Sequence, residues 1–281
     1  MTTPFHENGE IDEAAFCQDV DYLLQAGVHG LAVGGSTGEG HTLSREELVQ
    51  LVEKAVLQAS GKIPIIAGII ADSTREVIAR GKAVADLGAA ALQITPVHYL
   101  FTPDEQAMYD YYARISDSIG LPIIIYNVIP WSYCSPALLV RMIREIDHVI
   151  GVKQSAGDMH SLAELLLLLQ GDGIVLAAVD DLLYSCFTLG AHGAIAAILT
   201  AVPGACVDLW NAVQDGHHGE ALRIHWLLFE LWLAISGSNL PARVKAAMRI
   251  QGRASGLPRS PMPVPEASEE ARIKSALEKM R

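Results

Sequence analysis

The chain has 281 residues, is 51% hydrophobic and 19% charged, and carries a formal net charge of -12. That composition supplies a sizeable core and excludes global disorder. The acidic balance excludes a non-specific nucleic-acid binder, which needs a basic face, but it leaves anionic small molecules open as substrates, since a local field can oppose the net charge.

The opening, MTTPFHENGEIDEAAF, has neither a basic nor an apolar leader region and predicts no export signal. Only Met1 to Thr3 are left for a strand ahead of Pro4-Phe5, so a first strand here is expected to be truncated. Seven short apolar runs then follow, at 28–35, 63–70, 90–95, 121–128, 148–153, 174–179 and 193–198. They are continuous rather than alternating, as parallel strands covered on both faces should be. Helical patterns lie between most of them. Ser44 to Glu47 and Ser73 to Glu76 fit the capping box. Thr102-Pro103 and Ser135-Pro136 place an N-cap before a proline at the first helical position.

Strand and helix alternate at roughly 20–35-residue spacing, which predicts a parallel α/β architecture. Seven such units within about 200 residues favour a (β/α)₈ TIM barrel over an open doubly wound sheet. No G-x-G-x-x-G or P-loop follows the first run, which counts against a nucleotide-binding fold. After Ala201 the character turns helical, giving a barrel over 1–215 and a C-terminal helical region over 216–281. The leucine run Leu165 to Leu169 is too short to span a bilayer. Cys17, Cys134, Cys186 and Cys206 show no metal or redox spacing. They read as buried thiols of a reducing compartment, so a soluble cytoplasmic protein is expected.

A barrel of this kind carries its site at the C-terminal ends of its strands. Lys153 ends the 148–153 run, Tyr126 lies near the end of the one before it, and the first run ends in GGSTGE, Gly34 to Glu39. A lysine inside the mouth would be desolvated, which disfavours the ammonium, and a neutral amine can form a Schiff base with a ketone. The other reading of a buried lysine is a salt bridge, although Gln154, Ser155 and Ala156 offer no adjacent acid. Tyr126 suits a proton relay, or simply a rim aromatic. The Gly35-Ser36-Thr37 turn offers backbone N–H groups and two hydroxyls to a carboxylate. Asp180 and Asp181 end the 174–179 run and could bind substrate hydroxyls, with no histidine spacing to support a metal. His217-His218 reads as solvated loop, and Trp226, Phe229 and Trp232 as helical packing.

Together, TTPF, GGSTGE, Thr95-Pro96, Tyr126-Asn-Val, Gly151-Val-Lys-Gln154 and NLPARVKAAM at 239–248 resemble the dihydrodipicolinate synthase/N-acetylneuraminate lyase family, in matching order over nearly the whole chain. The resemblance implies a TIM barrel with C-terminal helices, a homotetramer built as a dimer of dimers, and a class I, metal-independent aldolase or dehydratase acting on pyruvate or another 2-oxo acid. It needs no cofactor. It makes Lys153 the Schiff-base lysine, Tyr126 the proton relay and Ser36 the relay hydroxyl. Thr37, with neighbouring backbone N–H groups such as that of Gly35, holds the carboxylate, and the Ile195 carbonyl faces the lysine. Tyr99, in TPVHYLFTP, matches a tyrosine offered to a neighbouring subunit's site.

Two departures bear on the substrate. Where dihydrodipicolinate synthases carry an arginine five residues after the relay tyrosine, this chain has Trp131, and the next arginine is Arg141. Where sialic acid lyases offer a hydroxyl, Ala196 and Ala197 follow Ile195. A Schiff-base lyase is the leading reading. A dehydratase or deaminase using the same lysine on a 2-oxo sugar acid or cyclic imine is the alternative, ahead of a non-catalytic 2-oxo acid binding barrel.

Overall fold

In the computed structural model, which describes residues 1–156 and 158–280, every predicted apolar run yields a strand. These are β1 (Leu31–Val33), β2 (Ile65–Ile69), β3 (Ala91–Ile94), β4 (Ile123–Asn127), β5 (Val149–Gln154), β6 (Ile174–Ala177) and β7 (Gly193–Ala194). They pair side by side, all parallel, in the order of the chain. The 193–198 run is strand for two residues only, because its end is drawn into a turn.

The helices are α1 (Glu13–Gln25), α2 (Arg45–Ala59), α3 (Thr74–Ala85), α4 (Glu105–Ile119), α5 (Pro136–Glu145) and α6 (Met159–Leu169). They are followed by α7 (Leu183–Thr188), the single turn α8 (Ile198–Ala201), α9 (Pro203–Gln214), α10 (His218–Ile235), α11 (Leu240–Ile250) and α12 (Ala267–Glu278). Local chemistry sets their starts. Ser44 and Glu47 close a reciprocal capping box on α2, and Ser135 caps α5 ahead of Pro136. The expected cap at Thr102-Pro103 is corrected. Asp104 caps α4, accepting from Ala107 N–H at 2.8 Å, while the Thr102 hydroxyl donates instead to Trp131 O. A carboxylate at the helix start is favoured both as an acceptor and by the helix dipole.

The sheet curls but has seven strands, so the eight-stranded closure expected from the sequence is not formed among the described residues. β1 and β7 are not hydrogen-bonded to each other. Met1 N donates to Ala32 O at 2.9 Å, touching the free edge of β1 without building a ladder. A mostly apolar cavity of about 410 Å³ occupies this seam, lined by Ala32, Ile66, Leu176, Ala194, Phe187 and Trp210 among others. Among the described residues no helix is long and apolar enough to cross a membrane.

Candidate functional site

The sheet register brings Lys153 and Tyr126 together: they are direct partners across β4 and β5. Lys153 is 6% exposed and Tyr126 4%, and the lysine Nζ lies 3.8 Å from the centroid of the tyrosine ring. Among the described residues Lys153 takes part in no salt bridge, unlike the still more deeply buried Lys245, which pairs with Glu39. The Tyr126 hydroxyl donates to Ser36 Oγ at 3.0 Å, across 90 residues of sequence. Amine, phenol and hydroxyl thus form one continuous array.

The turn that carries Ser36 is held by its glycines and by the core beneath it. Gly34 has a φ of +76°, and a Cβ on Gly68 of β2 would come within 2.7 Å of the Gly34 carbonyl, so a side chain at Gly68 would displace the turn. Glu39 N–H donates to Ser36 O and Gly40 N–H to Gly35 O, both at 3.0 Å. Gly35, Ser36 and Thr37 therefore sit at the mouth beside Tyr126, with Ser36 exposed and Thr37 half-buried.

Asp180 follows β6, and its Oδ1 accepts the Ile198 N–H at 2.7 Å. Burial pushes its carboxyl up to about 6, with the Ile198 N–H and the positive charge of Lys153 pulling the other way. This carboxylate holds the turn after β7, which is why the predicted strand there is short. Ile195 lies in that turn, its N–H donating to Ala177 O at 2.9 Å, and it lines the seam cavity. Tyr99 is not brought into this constellation. It is 68% exposed, on a loop anchored by Asp72, whose Oδ1 accepts the backbone N–H groups of His98 and Tyr99. Trp131 is likewise 68% exposed, its indole N–H donating to His98 O. Arg141 faces elsewhere, paired with Glu145 and stacked 4.1 Å over the Tyr109 ring.

Several residues with a part in the site escape sequence reading. Asn127 Nδ2 donates to both Gln154 Oε1 and Cys134 O at 3.1 Å, and its Oδ1 accepts Cys134 N–H at 2.8 Å, tying together the ends of β4 and β5 that carry Tyr126 and Lys153. Glu39 is buried with Lys245 Nζ at 2.6 Å, directly behind the Ser36 turn. The sequence shows only that Glu39, Asn127, Gln154 and Lys245 fall within the family-like stretches, and nothing in those stretches pairs them.

The full extent of the chain has known counterparts. Residues 1–280 match the family model described as the dihydrodipicolinate synthetase family. A 4-hydroxy-tetrahydrodipicolinate synthase of Bradyrhizobium diazoefficiens is 33% identical over 280 residues, covering 99% of this chain and 93% of the relative. One from Methanopyrus kandleri is 32% identical over 265 residues, covering 93% and 88%. The crystal structure of a dihydrodipicolinate synthase from Acinetobacter baumannii complexed with pyruvate superposes with a TM-score of 0.93 at 29% identity, covering 99% of this chain and 96% of that one. With the family model spanning the chain and a curated relative above 30% identity aligned along nearly all of it, the protein belongs to the dihydrodipicolinate synthetase family.

Proposed function

We propose that Lys153 forms a Schiff base with pyruvate or a related 2-oxo acid and that the chain uses it to cleave or form a carbon–carbon bond. Family membership makes the chain a lyase of the class I aldolase type; the residue roles and the substrate are what is proposed. One observation carries the reading: a buried lysine, without a salt bridge among the described residues, stands 3.8 Å from the ring centroid of a tyrosine whose hydroxyl is already bonded to Ser36. An amine so placed is tied up in no ion pair among the described residues, and its neighbour can move the proton that carbinolamine formation and dehydration require. Ser36 connects that phenol to the exposed mouth, while Gly35 and Thr37 offer the carboxylate contacts. Asp180 stands within electrostatic reach of the amine and could also meet substrate hydroxyls. The dehydratase or deaminase alternative uses the same array.

Tyr126→Phe is expected to keep the fold and lower kcat by about 10²–10³, the usual worth of a positioned acid–base group. An unchanged kcat would place the relay elsewhere.

Two further points of the proposal concern assembly and substrate. Tyr99, Leu100, Phe101 and Trp131 are all more than 60% exposed in the isolated chain, an apolar patch beside the mouth that assembly into a dimer of dimers would cover. Monomers in sedimentation velocity would remove this part of the reading. The second point is that the partner substrate is not an anionic aldehyde such as aspartate semialdehyde. The segment from Asn127 to Ser135 holds no arginine, and Arg141 is engaged on the outer face of α5. A bidentate, charge-assisted grip on a carboxylate is therefore missing from this loop. Condensation of pyruvate with aspartate semialdehyde should run at least about 10²-fold below that of a synthase carrying the arginine. Comparable dihydrodipicolinate formation by the purified chain would show that the grip comes from elsewhere and that the protein is such a synthase.

A further inference from the structure

Gln93 is 0% exposed and Thr95 is 1% exposed. Neither the amide oxygen nor the amide nitrogen of Gln93, nor the Thr95 hydroxyl, has a hydrogen-bond partner among the described residues. The Thr95 backbone is engaged, its N–H donating to Ile69 O and its carbonyl accepting from the Tyr111 hydroxyl; only the side chains are left over. Burying an amide or hydroxyl without a partner is costly, and native cores rarely tolerate it without a reason.

Their placement supplies a reason. Gln93 pairs with Gly68 of β2 on one side and Ile124 of β4 on the other. Ile124 and Tyr126 share a face of β4, since side chains alternate with a period of two, and Tyr126 is the register partner of Lys153. Gln93 therefore points to the same interior as Lys153, and Thr95 lies one step nearer the mouth, level with Tyr126. A Cβ built on Gly35 would stand 3.5 Å from Gln93 Nε2, so this amide lies against the turn offered to the 2-oxo acid carboxylate.

We propose that Gln93 and Thr95 form a polar subsite for a hydroxyl on the carbon next to the 2-oxo group, making the preferred substrate a hydroxylated 2-oxo acid rather than pyruvate itself. This deepens the Schiff-base reading and rests on it. With the carboxylate at the Gly35 turn and the 2-carbon at Lys153, the next carbon and its substituent face the β3 wall. The chemistry of the unpartnered atoms selects that substituent. A methyl group satisfies none of them, a second carboxylate would leave the Gln93 oxygen unpaired, and an ammonium would leave its nitrogen unpaired. A hydroxyl both donates and accepts, and serves the amide and the threonine together.

The test uses borohydride trapping at Lys153 on the full chain, with hydroxypyruvate and its near-isostere 2-oxobutyrate as probes and pyruvate as reference, reading the concentration for half-maximal adduct by mass spectrometry. The unmodified chain should prefer hydroxypyruvate to 2-oxobutyrate by at least about tenfold, because a site built to bond a hydroxyl rejects the analogue lacking it. Gln93→Leu should cut that preference at least about tenfold, and the isosteric Thr95→Val should cut it in the same direction without changing shape. Should Gln93→Leu not fold, Thr95→Val decides. Equal trapping of the two probes by the unmodified chain, or a preference that both variants leave untouched, overturns the proposal and assigns these atoms to bound water. If none of the three 2-oxo acids gives an adduct at Lys153 of the unmodified chain, the Schiff-base reading falls, and the subsite with it.

Discussion

Lys153→Ala should abolish the adduct formed with pyruvate and borohydride and reduce turnover at least about 10³-fold, since loss of a covalent nucleophile elsewhere costs up to about 10⁶. The unmodified chain should gain one reduced adduct, located by peptide mapping on Lys153. The variant is expected to fold, because the lysine takes part in no salt bridge among the described residues and the Asp180 carboxyl, which its charge pulls down, keeps its bond from the Ile198 N–H. What it loses locally is the contact over the Tyr126 ring. An adduct that persists in Lys153→Ala would move the chemistry to another amine. Among the described residues the one other buried lysine is Lys245, which is hydrogen-bonded to Glu39 and to Leu257 O and is a poor nucleophile for that reason.

Lys245 is where the second large effect is expected, on stability and on the geometry of the turn. Its Nζ lies 2.6 Å from Glu39 Oε1, with the two side chains 1% and 0% exposed. Burial lowers the pKa of this lysine, and the Glu39 charge works against that shift. The other Glu39 oxygen accepts the Arg259 N–H at 2.9 Å, so the carboxylate gathers α11 and the segment after it behind the Ser36 turn. Lys245→Met leaves that carboxylate buried with one backbone donor. Breaking a buried pair from one side typically costs about 3–5 kcal/mol, which for a chain of this size corresponds to a Tm lower by about 10 °C. Glu39→Gln combined with Lys245→Met should recover part of the loss, as expected of directly coupled neighbours. Because Glu39 closes the turn that carries Ser36 and Thr37, Lys245→Met should also raise the pyruvate concentration needed for half-maximal trapping. A Tm within about 2 °C of the unmodified chain, too small for a broken buried pair, would mean that the carboxylate finds another partner or a proton.

The two lysines mark how much of the site can be read from sequence. Lys153 stands out because it interrupts a strand that is otherwise continuously apolar and sits where barrel chemistry sits. Lys245 lies within the family-like stretch NLPARVKAAM, yet its partner is 206 residues away, and nothing local to the helix points to Glu39. Gln93 was hidden in the same manner. A glutamine in AALQIT reads as a blemish in an apolar run until the register with Gly68 and Ile124 turns it inward.

Local interactions explain what the sequence determined by itself. Seven apolar runs became seven parallel strands because strands covered on both faces need hydrophobic side chains on both, a requirement written along the chain. The helix starts at Ser44 and Ser135 followed from hydrogen bonds that close within three residues. Thr102-Pro103 failed as a start because Asp104, two residues after Thr102, is the better acceptor for the helix. Tertiary structure alone decided the rest. The seam between β1 and β7, the Tyr126–Ser36 bond across 90 residues, the turn held by Asp180 and the facing of Gln93 all depend on strand register and on the curl of the sheet. Those are properties of pairs of segments far apart in the chain, and the side-chain pattern of either segment by itself does not contain them.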